Sequence, residues 1–113
     1  MTAPRRGEIW LVSLDPTKGH KQAGARPALV LSVDSFNACP AELVTVLPIT
    51  SKPRTVRTRI AITPPEGGLA VISYVICEQT RTISTQRFLK SLGVVSDSTM
   101  ARVADVVRML LGL

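Results

Sequence analysis

Three polar clusters, each at the end of an apolar run, hold the side chains of this chain that could do chemistry. The first spans residues 15–26 and reads DPTKGHKQAGAR, twelve residues where a hairpin connection needs only a few. It offers Lys18, His20, Lys21, Gln22 and Arg26, while Gly19 and Gly24 let the backbone bend and approach a ligand closely. Arg26 stands directly before Pro27, which biases it toward an extended backbone and fixes a guanidinium at the start of a strand. Such a planar fork can grip two phosphate oxygens at once and keeps its charge at any physiological pH, which suits it to stabilising a developing phosphorane.

The second cluster is Thr50-Ser51, two hydroxyls after Pro48 that can donate to a phosphate; Lys52, Arg54, Arg57 and Arg59 then place four cations in eight residues with no acid among them. The third is Glu78-Gln79-Thr80-Arg81. Glu78 can accept a proton, although a carboxylate beside an arginine normally has a low pKa and serves as an ion pair. Each cluster also has a plain structural reading: a solvated loop, a surface salt bridge, a turn hydroxyl, a solvated charge run. The first loop lacks the GxxxxGK[ST] order of a phosphate-binding P-loop.

The elements that must position these clusters are short strands followed by a helix. Residues 9–14 (IWLVSL) and 28–33 (ALVLSV) are apolar β-forming runs of the kind buried on both faces, and 43–47, 58–62, 69–77 and 89–95 are further strands, separated by turns such as Pro64-Pro65-Glu66-Gly67-Gly68. This spacing favours a small barrel. From Met100 the period changes: Met100, Val103, Val107, Leu110 and Leu111 share one helical face that would cover the barrel, with Ser96 or Ser98 as cap, Asp97 in the first turn and Arg108 in the last.

A chain of 113 residues with 45% hydrophobic residues fits one domain over 1–113 with one core and is too apolar for intrinsic disorder. The net charge of +6 is uneven: residues 1–59 carry nine Lys/Arg against four Asp/Glu, and residues 60–113 five against four. A basic face that attracts polyanions follows, though charge alone does not separate nucleic-acid binding from solubility. Two cysteines without CxxC spacing and a single His20 leave no set for a zinc site, so neither a metal nor another cofactor is expected. With no apolar run of about 20 residues and no apolar core in the N-terminal stretch, the expected location is the cytoplasm, away from membranes, with both thiols reduced.

The motifs, taken in order, resemble the MazF/PemK (Kid-like) toxins over nearly the whole chain. They are Arg6-Gly7-Glu8-Ile9-Trp10, Asp15-Pro16-Thr17-Lys18-Gly19-His20, Gln22-Ala23-Gly24 with Arg26-Pro27, Pro48-Ile49-Thr50-Ser51, and Glu78-Gln79-Thr80-Arg81-Thr82-Ile83. The resemblance implies a mainly β chain, an SH3-like (PemK/CcdB-like) barrel with a C-terminal amphipathic helix, that dimerises with RNA in a groove between subunits. It implies metal-independent, sequence-specific cleavage of single-stranded RNA by the ribose 2′-hydroxyl, leaving a 2′,3′-cyclic phosphate and a 5′-hydroxyl and so blocking translation. Arg26 and Thr50 match the family residues tied to catalysis. With a guanidinium pKa above about 12, Arg26 is assigned to charge stabilisation, which leaves Glu78 or His20 as proton carrier. Lys18, Lys21, Gln22, Ser51, Lys52, Arg54, Gln79 and Arg81 are the expected RNA-binding side chains.

The chain departs from the family at Lys21, where members usually carry an acid, and at Ile76, where some carry an arginine. With only 4% aromatic residues, base edges must be read by polar groups rather than by extensive stacking. The implied partner is an antitoxin whose acidic, disordered tail competes for the groove, and operon DNA would be met only indirectly through it. Two other classes are compatible with such a chain: a non-enzymatic toxin of the same fold that inhibits DNA gyrase, and a plain basic RNA-binding module.

Overall fold

The computed structural model describes residues 2–14 and 24–113, in which seven strands precede a long helix. These are β1 (Glu8–Ser13), β2 (Ala25–Val30), β3 (Leu43–Thr50), β4 (Arg59–Ile62), β5 (Ser73–Ile76), β6 (Arg81–Ser84) and β7 (Phe88–Val94), with a one-turn helix α1 (Asp34–Asn37) after β2 and α2 (Asp97–Leu111) at the end. All pairings are antiparallel, in the order β4-β5-β3-β2-β1-β7, with β6 also on β3. The architecture is that of a small SH3-like β-barrel.

Strand β3 organises it. Its first half pairs β6 from Leu43↔Ser84 to Val46↔Arg81, and its end pairs β5 at Ile49↔Val75 and Thr50↔Tyr74. Between the two ladders the β5–β6 side carries three more residues than β3, so the chain at 77–80 forms a bulge opposite Leu47 and Pro48, with Cys77 buried and 78–80 exposed. Pro48 has no N–H to give to a ladder, which suits it to this break. On its other edge β3 pairs β2 through Ala28↔Pro48, Leu29↔Leu47 and Val30↔Val46. Two register shifts between β1 and β7 curl the far end of the sheet.

Alternation divides the apolar side chains between two clusters. Ile9, Leu29, Leu47 and Ile49 point into one, closed by Val103 and Val107 of α2, while Val12, Ala28, Val30, Val44 and Val46 point into the other with Trp10, Ile83 and Phe88. The central strands are therefore buried on both faces, as runs 9–14 and 28–33 suggest. No described pairing joins β4 to β7. The gap is bridged by the turn Glu66–Gly68, whose backbone lies against Leu92 and Gly93 so closely that a Cβ on Gly68 would sit 1.9 Å from the Leu92 carbonyl oxygen.

Several boundaries differ from expectation. β2 begins at Ala25 and ends at Val30, because the Leu31 and Ser32 N–H groups both donate to the Thr45 carbonyl and the chain turns off there. Residues 69–72 stay outside the β5 ladder. β6 forms where a polar cluster was read, since Val46 and its neighbours supply an open edge. α1 is also new; its buried Asn37 donates to the carbonyls of Pro4 and Ser32 and ties the N-terminus to this turn. Helix α2 is capped by Ser96, not Ser98, and ends in a left-handed Gly112. Val103 and Val107 are buried as the periodicity requires, but Leu110 and Leu111 are exposed because the helix outruns the barrel it covers.

Candidate active site

Arg26 is the second residue of β2, opposite Val12 of β1. Continuing the β2–β3 register by two residues beyond Ala28↔Pro48 sets Arg26 across from Thr50, the last residue of β3. Both line one groove of about 730 Å³, joined by Ser51 and Lys52 from the end of β3, Gln79 from the 77–80 bulge and Arg81 from the start of β6. Among the described lining residues there are three cations, Arg26, Lys52 and Arg81, and no acid. The rest of the lining includes an apolar wall, Leu69, Ala70 and Val71 ahead of β5, together with Pro27, Ile49 and Ile76. Cations beside apolar surface suit a nucleotide, with its anionic phosphate and largely apolar base face.

Local hydrogen bonds orient the side chains of the groove. The Lys52 N–H donates to Thr50 Oγ1 at 3.2 Å, which uses a lone pair and leaves the Thr50 hydroxyl proton to give to a ligand. The Arg81 guanidinium donates to the Leu14 carbonyl at 3.4 Å and the Arg87 guanidinium to the Ser13 carbonyl at 3.3 Å, so two arginines hold the end of β1 at the groove edge.

Glu78 is not among the groove-lining residues. Its carboxylate accepts the Thr58 hydroxyl at 2.7 Å and both Nε and Nη2 of Arg59, at 3.1 and 3.0 Å. Burial raises its pKa, but the Thr58 hydroxyl, its own backbone N–H and Arg59 together hold it below the usual carboxylate range. It is an ionised, engaged group at neutral pH, poorly matched to proton transfer there. Arg59 is occupied by this pair, and Arg54 is exposed and outside the groove lining. Lys18, His20, Lys21 and Gln22 lie outside the described residues.

The apolar wall and Arg87 were not singled out from sequence, whereas Arg81 was. The wall was read as the beginning of a strand; the preceding Gly67-Gly68 pair is the signal that the chain is still turning there.

The sequence profile of the PemK-like, MazF-like toxins of type II toxin–antitoxin systems matches residues 5–111. The chain belongs to this toxin family. Endoribonuclease MazF9 of Mycobacterium tuberculosis is 37% identical over 96% of this chain and 97% of its own length. Endoribonuclease PemK of Escherichia coli is 46% identical over 69% of this chain, which spans 59% of PemK. The solved structure of a mycobacterial endoribonuclease in complex with its cognate antitoxin superposes with a TM-score of 0.82 at 27% identity, covering 98% of this chain and 97% of that one. Ile76 lines the groove and is buried, so it brings no charge there.

Proposed function

We propose that this chain is the toxin of a type II toxin–antitoxin pair and acts as a metal-independent, sequence-specific endoribonuclease on single-stranded RNA, with Arg26 and Thr50 at the reacting centre. The observation that supports this reading is the groove that Arg26 and Thr50 line together, with three cations and no acid among its described residues.

In this reading the ribose 2′-hydroxyl attacks the adjacent phosphorus and the 5′-oxygen departs. The 2′-hydroxyl loses a proton, the leaving oxygen gains one, and the products are a 2′,3′-cyclic phosphate and a 5′-hydroxyl end. Arg26 stabilises the added negative charge on the non-bridging oxygens, and the Thr50 hydroxyl donates to one of them and fixes the phosphate. Lys52 and Arg81 hold flanking phosphates, and Ser51 and Gln79 face the base edges. With Glu78 engaged by Arg59, proton transfer is assigned to His20, whose side chain is of the type that gives and takes protons near neutral pH.

The protein works in the cytoplasm as a homodimer: the exposed apolar end of α2, Met109, Leu110, Leu111 and Leu113, is surface that a second copy would cover. An antitoxin with an acidic tail neutralises it by occupying the cationic wall in place of RNA. The same exposed helix end is the feature that a gyrase-binding toxin of this fold would use, and one experiment separates the two. Mixed-sequence single-stranded RNA is incubated in EDTA with wild type and with Arg26→Ala, and the fragment ends are mapped. Discrete cuts with 5′-hydroxyl ends, reduced about 10²- to 10³-fold or more in the variant, are expected. Toxicity that survives in Arg26→Ala without RNA cleavage would replace the nuclease reading with the gyrase one.

A further inference from the structure

A second concavity of about 660 Å³ lies at the other end of the barrel. Its wall includes Pro4, Trp10, Cys39, Glu42, Thr85 and Phe88. The Thr85 N–H donates to the Glu42 carbonyl immediately before β3, whereas Thr50 ends β3, so the two concavities are separated by the length of that strand, roughly 25 Å. Binding at one does not obstruct the other.

The floor is aromatic. Trp10 and Phe88 meet edge to face with ring centroids 5.6 Å apart, and both are more than nine-tenths buried. Two polar side chains of the lining are already engaged: the Trp10 indole N–H donates to Glu8 at 2.9 Å, and the Asn37 amide donates to Pro4 and Ser32 while its oxygen accepts the Ser32 hydroxyl. Glu42 is different. It is the one charged residue in the described lining, and its carboxylate has no hydrogen-bond or ion-pair partner among the described residues. Its backbone is left-handed, φ +55°, a conformation that glycine or asparagine adopts at lower cost. Glutamate is thus held against its backbone preference at the rim of an aromatic cavity, in a chain that is otherwise strongly cationic.

We propose that this cavity binds a small arylalkylammonium compound, its ring against Trp10 and Phe88 and its ammonium group paired with Glu42. The volume is in the range of small-ligand sites, and an apolar body with one convergent charge is the usual design of such sites. The one charge in the described lining is negative, which favours a cation over RNA or an acidic peptide. The site is independent of the groove and of the reading given to the groove.

The test uses 2-phenylethylammonium and, as a control with the same ring and opposite charge, 3-phenylpropionate. Trp10 is the single tryptophan, so its indole N–H gives one unambiguous signal in a nitrogen–proton correlation spectrum. The cation should shift that signal with a Kd on the order of 1 mM, as expected for a fragment of this size, and leave the Arg26 and Thr50 amides unmoved. The anion should bind at least about fivefold more weakly, a modest discrimination in keeping with a partly exposed ion pair. Glu42→Gln should erase that preference; Glu42→Gly should do so as well while relieving the backbone, which guards against a folding artefact. Equal affinity of the two probes, a preference that survives both substitutions, shifts confined to the groove, or no indole shift at about ten times the expected Kd would each overturn the proposal.

Discussion

Gly68 and Gly112 have nearly the same backbone, φ +74° and +70°, in different surroundings, and substitution by alanine separates conformational strain from steric conflict. At Gly112 an added Cβ meets nothing within 4 Å. The cost there is the left-handed strain of about 1–2 kcal/mol, partly offset by the entropy the unfolded chain loses, a net of about 1 kcal/mol. At Gly68 the Cβ would lie 1.9 Å from the Leu92 carbonyl oxygen and 2.6 Å from its carbon. Carbon and carbonyl oxygen come to rest at roughly 3.3 Å, so the two backbones must part by about 1.4 Å. Overpacking of this kind adds about 1–3 kcal/mol, giving about 3 kcal/mol in all. In urea, with a slope near 2 kcal/mol/M, Gly68→Ala should lower the midpoint by about 1.5 M and Gly112→Ala by about 0.5 M. Gly93→Ala probes the same contact from β7 without a positive φ, its Cβ 2.6 Å from the Gly67 carbonyl carbon, and should cost about 2 kcal/mol. Because Gly68 leads directly into the Leu69–Ala70–Val71 wall, RNA cleavage should fall in Gly68→Ala under conditions where the protein is still folded, but not in Gly112→Ala. Equal midpoint shifts for Gly68→Ala and Gly112→Ala would refute the claim that this backbone contact closes the barrel.

Thr50→Val keeps the β-branched shape and removes the hydroxyl, so cleavage should drop about 10²-fold with stability little changed, whereas Thr50→Ser should retain most activity; equal rates for the two variants in a fluorogenic RNA assay would remove Thr50 from the reacting centre. Glu78→Gln should leave cleavage within a few-fold of wild type while weakening the Arg59 contact, at a stability cost of about 1 kcal/mol by chemical denaturation, since one partner of a half-buried pair remains. Glu66 has its pKa held down by hydrogen bonds from Thr99 and from the Ser96 backbone, which outweigh burial, with Arg102 adding to the effect. A carboxylate with a depressed folded pKa stabilises the native state above its unfolded pKa of about 4.3 and loses that contribution as pH falls through the folded value. Glu66→Gln should therefore be less stable than wild type at pH 7 by about 1 kcal/mol, the gap narrowing below about pH 4; a gap independent of pH would show that the charge is irrelevant.

Much of the groove was legible because its residues sit where apolar runs end. Arg26 could be placed at a strand start from Pro27 alone, and Thr50 at a strand end from the run before it, since both inferences rest on local backbone chemistry. That the two line one groove depends on the pairing of β2 with β3, which no local rule supplies. Glu78 shows the same limit: its neighbour Arg81 suggested an ion pair, yet the partner is Arg59, nineteen residues away and brought close by the β4–β5 pairing Arg59↔Ile76. β6 was missed because its four residues RTIS lack a long apolar run and are held by the edge of β3 instead. Leu110 and Leu111 obey the helical period but pass the end of the sheet, a fact about relative lengths that periodicity does not contain.

The fastening of β1 fixes the point where the chain leaves that strand. Ser13 pairs with Ala25 across the β1–β2 ladder, and the Ser13 and Leu14 carbonyls are gripped by Arg87 and Arg81 from the other side of the chain. The strand thus ends on three clamps that are remote from it in sequence, and substitution of either arginine should loosen the point from which the chain leaves the barrel.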